Sequence, residues 1–264
     1  MKSLRPFLLW VAAALTVATA RSADASWWRE WTVDGVRREA LVRVPARKAA
    51  VPAPVVFVFH GHGGTMGSAA VMQPVHQIWP AAIVVYMQGL PTPGRLTDPE
   101  GKKAGWQRAA GTQDDSDLKF FDAVLASLRA AGGVDERRIY ATGHSNGGGF
   151  TYVLWAARRE VFAAFGPSAA TAGPNPASLS PAPVIHVAGR NDDLVKFEWQ
   201  RRTIDALIGL NQCDPKGRGA WNGRRLHASK IGTPVMTYIH DGDHRYPSEA
   251  TAFIVDFFKA HARP

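Results

Sequence analysis

The segment Tyr140–Gly149 reads YATGHSNGGG and holds Ser145 in a Gly-x-Ser-x-Gly pattern. The run RRIYATG, residues 137–143, has the character of a strand, and residues 146–159 have helical spacing. A sharp turn from a strand into a helix raises its central side chain above the sheet edge, and flanking glycines avoid clashes in the bend. The segment therefore predicts either a nucleophile or a flexible glycine-rich turn, and other parts of the chain must decide.

Strand-like apolar runs alternate with helix-like segments along most of the chain. The predicted strands are 36–44, 54–61, 81–87, 137–143, a short one within 161–170, 184–189 and 235–244, and the predicted helices are 117–128, 146–159, 196–210 and 249–262. This alternation predicts an α/β fold with a mainly parallel central sheet and helices on both faces. Residues 214–232 fit a hairpin and a surface loop equally well.

Length and the N-terminal residues predict the organisation of the chain. Residues 1–20 resemble a signal peptide, with Lys2 and Arg5 before an apolar stretch and small residues at the cleavage site; cleavage as late as residue 25 is an alternative. A retained anchor or a buried helix is the competing interpretation. We expect residues 21–264 to form one domain, secreted or periplasmic and without a stable membrane anchor.

Charge and cysteine content exclude some classes of protein. The chain carries 31 basic and 22 acidic residues, a net charge of +9. No Lys/Arg-rich run of the kind that binds nucleic acid accompanies this charge, so we expect a solvated surface and no nucleic-acid partner. Cys213 is the single cysteine, which excludes an intramolecular disulfide. It lacks flanking turn glycines and is expected to be a packed or surface residue rather than a nucleophile.

Three further segments supply what a nucleophilic serine needs, namely a base, an acid and an oxyanion site. FVFHGHGG, residues 57–64, ends a predicted strand in a glycine-rich turn that lets backbone N–H groups approach an oxyanion. The predicted donors are the backbone N–H groups of His62 and Asn146. Asp192 or Asp193 follows another strand, and His244 follows the last one. The order Ser, Asp, His is that of α/β-hydrolases.

Other histidines compete for the role of base. Five lie near predicted strand ends: His60, His62, His144, His186 and His240. His144 is too close to Ser145 along the backbone to reach its hydroxyl, and His62 is the strongest rival of His244. No His-Glu-x-x-His pattern or paired Cys/His spacing is present, so we predict no metal and no cofactor.

The motifs HGHGG, GWQ (105–107), DLKFFDAVLASL (117–128), YATGHSNGGG, AGRNDDLV and GDHRYP together resemble secreted bacterial esterases of the polyhydroxybutyrate depolymerase and feruloyl esterase group. The resemblance implies an α/β-hydrolase fold and a triad of Ser145, Asp192 and His244. The chain departs from that pattern at two positions: Asp193 replaces a usual proline, and Asp243 replaces a usual glycine before His244. The resemblance also implies a disulfide near Cys213, but a partner cysteine is missing from this chain.

The expected ligand is an ester, either small or linked to a polymer. Trp106, Gln107, Trp199 and Tyr246 are the predicted substrate-binding residues, with ordinary core or rim positions as the alternative. Feruloyl or acetyl esters of plant polysaccharide are the first expectation and poly(3-hydroxybutyrate) is the second. A non-catalytic, polysaccharide-binding hydrolase fold and a serine peptidase are alternatives from other classes. The sequence gives no oligomeric state.

Overall fold

The structure is a computed structural model that describes residues 27–45, 52–173, 176, 179–219 and 222–264. The predicted signal segment 1–20 lies outside these residues. Within the described ranges, no helix has the length and apolar character needed to cross a membrane.

Ten strands of the described residues form one sheet in the order β1-β2-β4-β3-β7-β8-β9-β12-β11-β10. The six from β4 to β12 in this order are parallel, and the strands at both edges are antiparallel. Two short strands, β5 and β6, pair separately. The strands are β1 Trp28–Val33, β2 Val36–Arg43, β3 Ala53–Phe59, β4 Ile83–Met87, β5 Leu90–Pro91, β6 Ala104–Gly105, β7 Val134–His144, β8 Ala164–Ser168, β9 Val184–Gly189, β10 Arg218–Gly219, β11 Arg224–His227 and β12 Val235–His240.

Helices cover both faces of the sheet. They are α1 Met66–Met72, α2 Val75–Ile78, α3 Ser116–Ala131, α4 Asn146–Arg158, α5 Phe197–Leu210 and α6 Ala250–Lys259. Alternate residues of β3 point to opposite faces: Phe57 belongs to the core that includes residues of α3, α4 and α5, whereas Val56 belongs to the core that includes residues of α1, α2 and α6. Each of the two cores is therefore a layer between the sheet and three helices.

A buried ion pair ties the edge of the sheet to α3. The Arg38 guanidinium on β2 donates to Asp117 Oδ1 at 2.7 Å and to the Ser116 carbonyl at 3.0 Å. Both charged side chains are almost fully buried. The second Asp117 oxygen accepts the backbone N–H of Gln107 at 2.7 Å. Asp117 thus connects the β2 edge, the start of α3 and the loop after β6.

All the predicted strands and helices are present; β9 has its predicted bounds, and the ends of the others are shifted. The segment 214–232 contains the β10–β11 hairpin, which extends the sheet beyond β12. Strand β1 was not predicted. Its sequence, WREWTV, mixes aromatic and charged residues, and five of its six side chains are exposed or partly exposed. It becomes a strand by antiparallel pairing with β2 across the two-residue turn Asp34-Gly35, both of whose residues have positive φ. This Asp-Gly pair is a local hairpin signal that the strand prediction missed.

Candidate active site

Ser145 occupies the turn between β7 and α4, and its backbone has φ 57° and ψ −119°. A positive φ is unfavourable for any residue with a Cβ and costs on the order of 1–3 kcal/mol, so it persists only where the surroundings enforce it. Here the bend is tight: a Cβ on Gly143 would lie 2.5 Å from the Gly147 carbonyl, and one on Gly147 would collide with the Phe59 carbonyl of β3. The glycines of the pattern are therefore required by close backbone contacts.

The structure brings Ser145, His244 and Asp192 together. The Ser145 hydroxyl lies 2.8 Å from His244 Nε2, and His244 Nδ1 lies 2.9 Å from Asp192 Oδ2. Because a carboxylate only accepts, Nδ1 carries the proton of the neutral imidazole and Nε2 is free to accept from the serine. This geometry is that of a nucleophile with its base and an orienting acid.

Asp192, rather than Asp193, is the acid in contact with His244. Its side chain is fully buried, and Oδ1 accepts the backbone N–H groups of Leu194 at 3.1 Å and Val195 at 2.8 Å. Asp193 is exposed and points into a separate recess. The two aspartates follow β9 in sequence, but only one of them turns inward.

A buried chain of hydrogen bonds leads from Asp192 towards the substrate cleft. The Gln200 amide donates to Asp192 Oδ2 at 3.0 Å and to the Val195 carbonyl at 2.7 Å. Its oxygen lies 3.5 Å from His186 Nε2, and the other ring nitrogen, Nδ1, lies 2.7 Å from the Tyr152 hydroxyl. Burial lowers the pKa of His186 to about 4, so its ring is neutral near pH 7. Sequence reasoning missed Gln200 and Tyr152, which carry no motif.

The loop after β3 lies against Ser145, since a Cβ on Gly61 would lie 3.5 Å from the Ser145 Cβ. Asn146 is the first residue of α4, where backbone N–H groups have no acceptor within the helix. Among the described residues, no hydrogen-bond acceptor contacts the backbone N–H of His62 or Asn146. Both donors are therefore free beside the serine.

Side chains fix the shape of this loop. His60 Nε2 accepts the Gly89 N–H at 3.0 Å, and its Nδ1–H donates to the Gly61 carbonyl at 2.8 Å. Burial lowers the pKa of His60, which favours the neutral ring that this arrangement needs. The His62 ring donates from Nε2 to Asp98 at 3.0 Å.

None of the rival histidines contacts the Ser145 hydroxyl. His60 and His62 are held in the loop, and His186 belongs to the Gln200 chain. His144 is buried beside Ser168 Oγ at 3.2 Å, and burial lowers its pKa to about 4. His240 Nδ1 accepts the Gly242 backbone N–H. In the described part of the chain, no group of three or more His, Cys, Asp or Glu side chains is arranged to hold a metal ion.

A cleft of about 810 Å³ opens over Ser145 and His244. Its inner wall is largely apolar and includes Tyr152, Val153, Leu179, Val195 and Trp199. No aspartate or glutamate lines it among the described residues, whereas Arg95 and Arg108 stand exposed at its rim. An acyl group with an aromatic or aliphatic body fits such a wall.

The four predicted substrate-binding residues separate into three locations. Trp199 and Gln107 line the cleft, although the Gln107 amide is bonded to Asp115 and to the backbone. Tyr246 lines the recess on the other side of His244. The expectation that Trp106 walls the cleft is wrong: its side chain is 0% exposed, stacks on Phe150 at 5.3 Å and donates to the His60 carbonyl. Trp106 is a core residue beneath the loop after β3.

Comparisons with known proteins agree with this architecture. No family model matches the chain. A "Probable feruloyl esterase C" of Aspergillus niger is 29% identical over 156 residues, 55% of each chain, so that match spans about half the length of the relative. One of Aspergillus flavus is 24% identical over 255 residues, 92% of this chain and 91% of the relative. An acetyl xylan esterase from Aspergillus awamori superposes with a TM-score of 0.67 at 14% identity, covering 88% of this chain and 98% of that one.

The chain has the α/β-hydrolase fold, with the serine at the turn after a parallel strand and the histidine after the last strand. The esterase names of its relatives, together with this fold, support a carboxylic ester hydrolase.

Proposed function

We propose that this protein is a serine carboxylic-ester hydrolase that works through an acyl-enzyme, with Ser145 as nucleophile, His244 as general base and Asp192 as the orienting acid. The observation that carries the proposal is the hydrogen-bonded series Ser145–His244–Asp192, with distances of 2.8 and 2.9 Å. A serine hydroxyl is a weak nucleophile until a base removes its proton, and His244 is placed to do so.

In the first half of the reaction, Ser145 Oγ attacks the ester carbonyl while its proton passes to His244 Nε2. The imidazolium that forms is stabilised by the buried Asp192 carboxylate. His244 then gives the proton to the oxygen of the departing alcohol. In the second half, His244 activates a water molecule that attacks the acyl-enzyme and releases the acid.

The backbone N–H groups of His62 and Asn146 hold the negative oxygen of each tetrahedral intermediate. They are free of other acceptors among the described residues, and Asn146 adds the positive end of the α4 dipole. Loss of one such donor costs about 3 kcal/mol of transition-state stabilisation. The Asn146 side chain ties the start of α4 to the loop after β6, because its Oδ1 accepts the backbone N–H of Trp106 at 2.7 Å.

The substrates are feruloyl or acetyl esters of plant polysaccharide. The names of the relatives and the apolar cleft with Trp199 support this choice, since the cleft accommodates an aromatic acid. The resemblance to polyhydroxybutyrate depolymerases makes poly(3-hydroxybutyrate) the second candidate. Release of ferulate from arabinoxylan, compared with clearing of a polyester suspension, distinguishes the two.

The protein acts outside the cytoplasm, either secreted or in the periplasm, because residues 1–20 have the composition of a signal peptide. The mature part, 21–264, forms one catalytic domain.

The decisive experiment compares wild type with Ser145→Ala on p-nitrophenyl acetate. We expect the variant to hydrolyse it at the rate of buffer alone, whereas Ser248→Ala, an exposed serine outside the cleft, keeps wild-type turnover. Substantial turnover by Ser145→Ala would refute the assignment. A fluorophosphonate probe should label wild type and not Ser145→Ala. An unlabelled wild type would indicate a non-catalytic polysaccharide-binding protein, and cleavage of peptides instead of esters would indicate a peptidase.

A further inference from the structure

A second recess, of about 450 Å³, lies beside the substrate cleft, and we call it the side recess. It shares Met72, His144 and His244 with the cleft, and its remaining lining residues are Asp193, Asp243, Arg245 and Tyr246. Ser145 lines the cleft and not the side recess. Of the three shared residues, His244 is the one that contacts the Ser145 hydroxyl.

The direction of the reaction gives the side recess a role. His244 Nε2 takes the serine proton and must then deliver it to the alcohol oxygen, so that oxygen has to sit next to the imidazole. The alcohol thus leaves along His244, while the acyl group stays bonded to Ser145 in the apolar cleft. Of the two spaces that share His244, the side recess is the one that the acyl group does not occupy.

The side recess differs from the cleft in chemistry. Asp243 accepts from Arg245, with both carboxylate oxygens 3.0 Å from its guanidinium, and this contact lowers the pKa of Asp243. Asp193 is exposed and lines the recess. The recess therefore presents carboxylate oxygens that accept from hydroxyl groups and a guanidinium that donates to them. Both aspartates also stand where the sequence departs from the esterase pattern.

We propose that the side recess binds the alcohol part of the ester, and that this alcohol is a hydroxyl-rich sugar held by Asp193 and by the Asp243–Arg245 pair. The inference deepens the proposed function and rests on it. A simple alkyl alcohol has no further hydroxyl groups to donate hydrogen bonds to these carboxylates. A polyester chain offers ester oxygens, which only accept hydrogen bonds. Adjacent sugar hydroxyls, by contrast, both donate and accept.

A cationic alcohol such as choline is the competing ligand. Recognition of a quaternary ammonium uses several aromatic faces. The side recess has Tyr246 alone of Trp, Tyr and Phe among the described residues that line it, and the edge-on packing of this ring against His144 at 5.5 Å occupies it within the protein. The guanidinium of Arg245 also opposes a cation.

The test compares two esters with the same acyl group, methyl ferulate and a feruloyl ester of methyl arabinofuranoside. We expect the wild-type kcat/KM to be about tenfold or more higher for the sugar ester, the range given by one or two hydrogen bonds to charged groups. In Asp193→Ala and Asp243→Ala this preference should fall about tenfold. Asp205→Ala, an exposed aspartate on α5 outside both spaces, should keep it.

Several outcomes would overturn the inference. One is a wild-type enzyme that hydrolyses both esters equally well, and another is an Asp193→Ala variant that retains the full preference. A higher kcat/KM for feruloylcholine than for the sugar ester would show that the recess binds a cationic alcohol instead. Failure of the wild type to hydrolyse any of these esters or p-nitrophenyl acetate would contradict the proposed function itself, and this inference with it.

Discussion

Gln200 is the residue through which we expect the pH dependence of the enzyme to be adjusted. Its amide supplies one of four hydrogen bonds to the Asp192 carboxylate, and it is fully buried. A hydrogen bond to a charged group is worth about 1.5–3 kcal/mol. In Gln200→Met the side chain keeps its length and loses the donor, so the negative charge on Asp192 is less well satisfied and attracts the His244 imidazolium more strongly.

The expected result is an upward shift, along the pH axis, of the acidic limb of the kcat/KM profile. If about half of the lost bond energy is transferred to the imidazolium, the acidic limb of kcat/KM moves up by roughly 0.5–1 unit, at about 1.4 kcal/mol per unit. The free energy of unfolding should also fall by about 2 kcal/mol, because the buried Asp192 carboxylate and the Val195 carbonyl each lose a donor. The measurements are a pH profile of p-nitrophenyl acetate hydrolysis and thermal unfolding.

The control is Asn211→Leu, which removes a buried amide at the end of the same helix. Asn211 bonds the backbone of Ala182 at 3.2 and 2.7 Å and does not contact the triad. The Asn211→Leu variant should be destabilised to a similar degree and should keep the wild-type pH profile. An unshifted profile in Gln200→Met, with the same fall in stability, would refute the role of Gln200 in positioning Asp192.

Three other outcomes follow from the site. The free energy of unfolding, measured in urea, should be about 1 kcal/mol higher for Ser145→Gly than for Ser145→Ala, because glycine relieves the positive φ. Equal stabilities would argue against strain at the turn. Stability should fall as pH drops from about 6.5 towards 4, since His144 and His186 have folded pKa values of about 4, below the unfolded value of about 6.5. The unfolded chain then binds protons that the folded protein excludes, so the free energy of unfolding falls by about 1.4 kcal/mol per pH unit for each histidine. If urea titrations of His186→Gln gave the same slope against pH as the wild type, they would contradict the assignment. Trp106→Ala should cost about 3–5 kcal/mol of stability, whereas Trp199→Ala should mainly change the preference between feruloyl and acetyl esters; the reverse pattern would contradict their placement in core and cleft.

Sequence periodicity was sufficient to predict the central strands and the four long helices, and with them the strand ends that carry Ser145, Asp192 and His244. These residues follow parallel strands, and parallel strands place their carboxyl ends at one edge of the sheet. The sequence could not show that Trp106 is buried, because a tryptophan in a glycine-flanked loop has the same local pattern in a core as at a cleft wall. Gln200 was missed because its partner, Asp192, lies on a different element.

The contact between Arg38 and Asp117 makes the N-terminal hairpin part of the catalytic architecture. Deleting β1 and β2 would leave the Asp117 carboxylate, which holds the Gln107 backbone, buried without its counter-charge, a loss that typically costs several kcal/mol. Chimaeras that exchange this hairpin must therefore keep an arginine at position 38, and shortened variants that lack the hairpin must also replace Asp117 with an uncharged residue.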